Sequence, residues 1–151
     1  MRPNPPPVKG VRNLTAEIAE DAEVTEEELN EVTRKVIGAA IKVHKALGPG
    51  LLESVYEACL AFELAEAGLR VDRQVELPVV YQSVRLDCGY RIDLLVAGEV
   101  VVELKAVERL LPVHRAQLLA YLKLSGHRVG LLVNFNVARL LDGIIRLVNK
   151  L

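Results

Sequence analysis

The residues best equipped for chemistry lie in two short apolar segments. In VVVELKAV, residues 100–107, one glutamate and one lysine interrupt an otherwise aliphatic run. Such a run is expected to be a strand covered on both faces. Side chains alternate along a strand, so Val101, Glu103 and Lys105 share one face and Val102, Leu104 and Ala106 the other. Burying a charge is costly unless it is paired or holds a metal. Taken alone, the segment is better explained by a structural Glu103–Lys105 pair near the rim of a sheet.

The preceding segment, YRIDLLVA, changes that balance. Tyr90, Ile92, Leu94 and Val96 are expected to face one way and Arg91, Asp93 and Leu95 the other. A tight turn at Gly98-Glu99 makes the two strands antiparallel neighbours and sets Asp93 within about a residue of Glu103 in register. Two carboxylates and an ammonium then converge on one face of one hairpin. Hard divalent cations prefer carboxylate and carbonyl oxygens, with water completing the shell. The competing explanation is that Arg91 and Lys105 merely neutralise Asp93 and Glu103; it needs a coincidence.

Two helical segments add further polar groups. After Gly50, Glu53 falls on the stripe of Leu60 and Leu64, flanked by Tyr56 and Glu57. An acid there is either a site residue or a boundary residue favoured by the helix dipole. Glu57 is the weaker candidate and is expected to be solvated. After Pro112, His114, Gln117 and Tyr121 share a face, with Leu118, Leu119 and Leu122 on the core side. A lone histidine at such a place is most often a surface or capping residue.

The elements that must carry these residues can be read from periodicity. Residues 1–24, with four prolines in the first seven and an acidic stretch, are expected to be a flexible tail, and residues 25–151 one domain. Thr25 and Glu28 form a capping box for a helix that should stop at Gly48-Pro49-Gly50. A second helix should end at Gly68. VDRQVELPVVYQ reads as a strand, with Pro78 marking an edge or a bulge. RLDCGYRIDLLVA and VVVELKAV are the next two strands, followed by a helix from Pro112 to about Ser125. HRVGLLVNF is a fourth strand and ARLLDGIIRLVNK a last helix, giving the order α-α-β-β-β-α-β-α.

Composition sets the outer limits. At 151 residues the chain holds one ordinary domain, and 51% hydrophobic with 26% charged residues is a globular balance. The net charge of −1 gives no overall basic field, and the absence of tryptophan argues against an extended stacking surface. Cys59 and Cys88 have no partner spacing and are read as buried thiols of a reducing compartment. The first residues lack the apolar core of a secretory signal, and no run reaches the length that spans a bilayer. A soluble cytoplasmic protein is the expectation.

Several motifs resemble a known family. Gly50, Glu53 and Tyr56 fit G-x-x-E-x-x-Y, which resembles the signature of the small bacterial GxxExxY proteins. Asp93 followed by Glu103-Leu104-Lys105 is similar to the D…(D/E)xK core of the PD-(D/E)XK nuclease superfamily. Gln117 to Tyr121 resembles the QxxxY motif of its RecB-type exonuclease branch. The likeness runs from about Val32 to the C-terminus, including the NF-x-V-x-x-L-x-D-G pattern that begins at Asn134. The "PD" proline is absent, with Ile92 preceding Asp93.

The resemblance implies an α/β fold with a central mixed sheet, here four-stranded, flanked by helices. It also implies roles: Asp93, Glu103 and the Leu104 carbonyl as ligands of Mg2+ or Mn2+, and Glu53 holding the metal through water. Lys105 would orient or help deprotonate the attacking water. Gln117 and Tyr121 would position their helix or bind a phosphate, with His114 as an auxiliary. The expected activity is metal-dependent phosphodiester hydrolysis of DNA, with ends or single strands favoured. The expected partner is nucleic acid and not a membrane, and self-association is left open. The alternatives are a catalytically inactive nucleic-acid- or protein-binding module on the same fold, and a purely structural domain.

Overall fold

The computed structural model describes residues 23–150, so nearly all of the expected tail lies outside the described residues. Two helices come first, α1 (Glu26–Leu47) and α2 (Glu53–Glu66). The Thr25 capping box forms: Thr25 Oγ1 accepts the Glu28 N–H and Glu28 Oε1 accepts the Thr25 N–H. Strand β1 (Val71–Glu76) leads into a small hairpin, β2 (Val79–Tyr81) and β3 (Val84–Leu86). Then come β4 (Arg91–Val96), β5 (Val100–Lys105), α3 (Pro112–Ser125), β6 (Val129–Asn134), a 3-10 turn (Leu140–Gly143) and β7 (Ile144–Val148).

The main sheet is five-stranded and mixed, in the order β1-β4-β5-β6-β7. Only β5 and β6 run parallel, as a crossover through α3 requires. Two cores cover the sheet. One side buries Leu94, Val96, Val102 and Leu104 with Val36, Leu60 and Leu64 of α1 and α2; the other buries Val101 and Leu132 with Leu118 and Leu122 of α3. This is the α/β arrangement expected, with β5 central and covered on both faces.

Three expectations need correction. The last segment is not a helix: Ile144–Val148 is a fifth strand antiparallel to β6. Helical and strand spacing compete in IIRLV, and the chain at Gly143 passes so close to β6 that an added Cβ would lie 2.4 Å from the Asn134 carbonyl oxygen. Strand pairing wins, with Ile145 and Leu147 packed against the α3-side core and Arg146 reaching Asn30 of α1. Second, VDRQVELPVVYQ is two strands, because Pro78 cannot donate to a ladder and ends β1. Third, the chain turns again between Asp87 and Tyr90, where Gly89 has φ 82°, so the outlying β2–β3 hairpin stands apart from the sheet.

Candidate active site

The β4–β5 hairpin pairs Val96 with Val100, Leu95 with Val101 and Leu94 with Val102. That register carries Asp93 opposite Glu103, as the turn implied. The regular ladder stops there. Where Ile92 would pair with Leu104, Asp93 Oδ2 accepts the Leu104 N–H at 2.9 Å instead. Glu103 Oε2 in turn accepts the Asp93 N–H at 2.9 Å. Each carboxylate thus occupies a backbone donor of the opposing strand. The interruption has the effect of a bulge, which re-aims side chains. Ile92 accordingly packs in the α3-side core while Leu94 and Val96 pack on the other, correcting the expectation that all three share a face.

Two acids are therefore held side by side in low-dielectric surroundings. Glu103 is 4% exposed. Burial first, then the adjacent Asp93 carboxylate, pushes its carboxyl up to about 8. Burial likewise raises Asp93, against the Leu104 N–H that lowers it, and Glu57 and Glu53 add repulsion. Among the described residues no cationic side chain stands at ion-pair distance from either acid. Arg91 pairs instead with Glu76 at 3.5 Å, and Lys105 Nζ donates to Gln117 Oε1 at 3.0 Å. The simple ion-pair explanation of Asp93 and Glu103 fails on that geometry.

Lys105 ends β5, two residues after Glu103, and its charge lowers Glu103 by less than burial and the Asp93 carboxylate raise it. Asn134 fixes the chain just beyond it. Its side chain accepts the Val107 N–H at 3.0 Å and donates to the Val107 carbonyl at 2.9 Å, while the Phe135 N–H bonds the Lys105 carbonyl. From α3, Gln117 links Lys105 to Tyr121: its Nε2 donates to the Tyr121 hydroxyl at 3.4 Å. Tyr121 is buried, and its hydroxyl is pushed up by that burial and by Glu103 and Asp93 nearby. His114 is spent differently. Its Nδ1 accepts the Leu111 N–H at 2.9 Å and so caps α3, the blander of the two readings.

The helix acids differ from expectation in their burial. Glu53, the first residue of α2, is exposed, and its charge reaches Asp93 only as a minor repulsion. Glu57, expected to be solvated, is 7% exposed. Its carboxylate accepts from Arg73 Nε at 3.2 Å and from Gln74 Nε2 at 2.7 Å. Gln74 Nε2 also reaches Asp93 Oδ1 at 3.3 Å, so one amide bridges the two acids. Gln74 does this from a left-handed backbone, φ 51°, which a residue with a side chain adopts at a cost. Sequence reading missed Gln74 entirely; its position in β1 opposite Asp93 is set only by sheet pairing.

The G-x-x-E-x-x-Y segment is a scaffold for this corner. Tyr56 is fully buried and stacks on Phe135 with ring centroids 4.4 Å apart. Its hydroxyl donates to the Gly48 carbonyl at 2.6 Å and accepts the Leu51 N–H at 3.1 Å. Gly50, at φ 104°, permits the turn between them. Gly50 and Tyr56 together set where α2 begins, and hence where Glu53 and Glu57 stand.

Two carboxylates, a backbone strand and a nearby ammonium suit a hard divalent cation. Among the described residues no three His, Cys, Asp or Glu side chains are grouped to hold a metal. The donor set is thus two carboxylates, which matches the habit of Mg2+ to take one or two and keep several waters. The mutual repulsion of Asp93 and Glu103 is what such an ion would relieve. An extended residue turns its N–H and C=O to the same side, so the Leu104 carbonyl points toward β4 like the N–H that meets Asp93.

No curated protein and no solved structure matches the chain. The family profile of the PD-(D/E)XK nuclease superfamily matches it over residues 30–147, which takes in every residue of the site above. With that match over most of its length, the chain belongs to the PD-(D/E)XK nuclease superfamily.

Proposed function

We propose that this domain is a metal-dependent deoxyribonuclease that hydrolyses phosphodiester bonds at a site made by Asp93, Glu103 and Lys105. One observation carries the reading above others: Glu103 is buried and Asp93 half-buried beside it, among the described residues no cationic side chain stands at ion-pair distance from either, and Lys105 is bound by Gln117. An ion-pair role for the acids would have supplied each with a cation. Asp93, Glu103 and the Leu104 carbonyl would hold Mg2+ or Mn2+, with Glu53 or the Gln74-bridged Glu57 reaching it through water. The ion would polarise a phosphoryl oxygen and lower the pKa of bound water.

The protein's own groups supply the rest. Lys105, oriented by Gln117, would hold a water against the phosphate and balance developing negative charge. Tyr121 fixes Gln117 from the far side. The GxxExxY and QxxxY resemblances favour the RecB-like branch, and with it ends or single strands of DNA as substrate. No described helix is long and apolar enough to cross a membrane.

The test is a panel of linear, circular and single-stranded DNA, and RNA, in Mg2+, Mn2+ or EDTA. Cleavage of DNA that disappears with EDTA, with Asp93→Ala and with Lys105→Ala supports the proposal. Clean protein that binds DNA without metal and cuts nothing supports the inactive binding module instead.

A further inference from the structure

The four tyrosines divide into two buried, Tyr56 and Tyr121, and two exposed, Tyr81 and Tyr90. Tyr90 immediately precedes β4, three residues before Asp93. Its backbone is pinned, because its carbonyl accepts the Leu77 N–H at 2.9 Å. Its ring meets Tyr121 edge to face, with centroids 6.1 Å apart and planes at 61°. Tyr121 connects through Gln117 to Lys105. A continuous line of contacts therefore runs from the candidate catalytic ammonium to an aromatic ring that is 47% exposed. An edge-to-face contact uses the rim of one ring and leaves a face of the other open. A large aromatic side chain left half in water, on a fixed backbone and beside a reacting centre, has the properties of a stacking platform.

We infer that Tyr90 is a substrate-binding residue that stacks an unpaired nucleobase next to the phosphate being hydrolysed. The inference rests on the nuclease reading above and adds to it a preference for strands whose bases are free to leave the duplex. Stacking needs only a π face, so the contact is indifferent to base identity. It also explains how a chain with no net basic field and few aromatics could hold a single strand: one ring, placed at the site, substitutes for a broad surface. The plainer role for Tyr90 is as a lid over Tyr121. Leucine would serve as that lid, but it cannot stack a base.

The experiment compares wild type with Tyr90→Leu, Tyr90→Trp and Tyr90→Phe in Mg2+ or Mn2+. Substrates are a single-stranded oligodeoxynucleotide and an all-abasic strand of the same length. Base stacking of the usual strength predicts that Tyr90→Leu loses about ten-fold or more in kcat/KM on the base-bearing strand, mainly through KM. Tyr90→Trp and Tyr90→Phe retain activity, and thermal unfolding of Tyr90→Leu matches wild type. Wild type itself loses at least as much on the abasic strand. Undiminished cleavage by Tyr90→Leu, or equal wild-type cleavage of both strands, overturns the inference while leaving the nuclease reading intact. Failure of wild type to cut either strand removes both.

Discussion

Replacing Glu103 by glutamine should make the metal-free protein more stable at alkaline pH. Burial and Asp93 raise the Glu103 carboxyl to about 8. A carboxyl raised on folding binds its proton more tightly in the folded than in the unfolded state. Its stabilising contribution is therefore complete below the unfolded value and is lost as pH rises through about 8. A tenfold gain in proton affinity is worth about 1.4 kcal/mol, so the rise from an ordinary glutamate sets a ceiling of about 5 kcal/mol at pH 9. Water entry and side-chain rotation reduce what is realised, and about 2 kcal/mol is a reasonable working figure.

Glutamine keeps an oxygen to accept the Asp93 N–H and gains a donor toward the Asp93 carboxylate, so the site stays filled. In EDTA at pH 9, Glu103→Gln should melt roughly 4–8 °C above wild type, with the gap closing toward pH 5. Far-UV circular dichroism melts at several pH values give the measurement. Parallel wild-type and variant profiles across the range would show that Glu103 carries no folding penalty and would refute the reasoning.

Three further outcomes are expected. Mg2+ should raise the melting temperature of wild type more at pH 8 than at pH 6, since the ion meets a more fully ionised pair, and should leave Glu103→Gln nearly unmoved; differential scanning fluorimetry reads both. Gln74→Gly relieves the left-handed backbone but removes the amide that holds Asp93, so stability should hold or rise while nuclease activity falls about ten-fold. A drop in both would mark Gln74 as merely structural. Tyr56→Phe strips partners from the Gly48 carbonyl and the Leu51 N–H and should cost about 2 kcal/mol in chemical denaturation, with the fold retained.

How much of this was legible in the sequence differs by element. The three long helices could be placed because their ends carry explicit signals: the Thr25–Glu28 box, Gly48, Gly68 and Pro112. The β4–β5 hairpin was legible because a glycine turn fixes register between two aliphatic runs, and register alone puts Asp93 against Glu103. The final strand was not, since IIRLV satisfies both periods and only the open edge of β6 decides between them. The bulge at Asp93 was invisible for another reason. It arises from side chains taking backbone donors, which no alternation rule contains.

The helix acids show the same limit. Glu53 and Glu57 lie on adjoining parts of one helix face, and the sequence favoured the one nearer the apolar stripe. What buries Glu57 is Arg73 and Gln74 arriving from β1, an encounter set by tertiary pairing. The tyrosine of G-x-x-E-x-x-Y carries a comparable lesson. Its hydroxyl holds a turn together through Gly48, eight residues away in the chain, and Leu51.

The most direct measurement is a Mn2+ titration followed by electron paramagnetic resonance, with wild type, Asp93→Asn and Glu103→Gln compared under identical conditions. Saturable binding by wild type, severely weakened in both variants while their circular dichroism spectra stay native, is the expected result. Undiminished Mn2+ binding by the two variants would place the ion elsewhere and contradict the account.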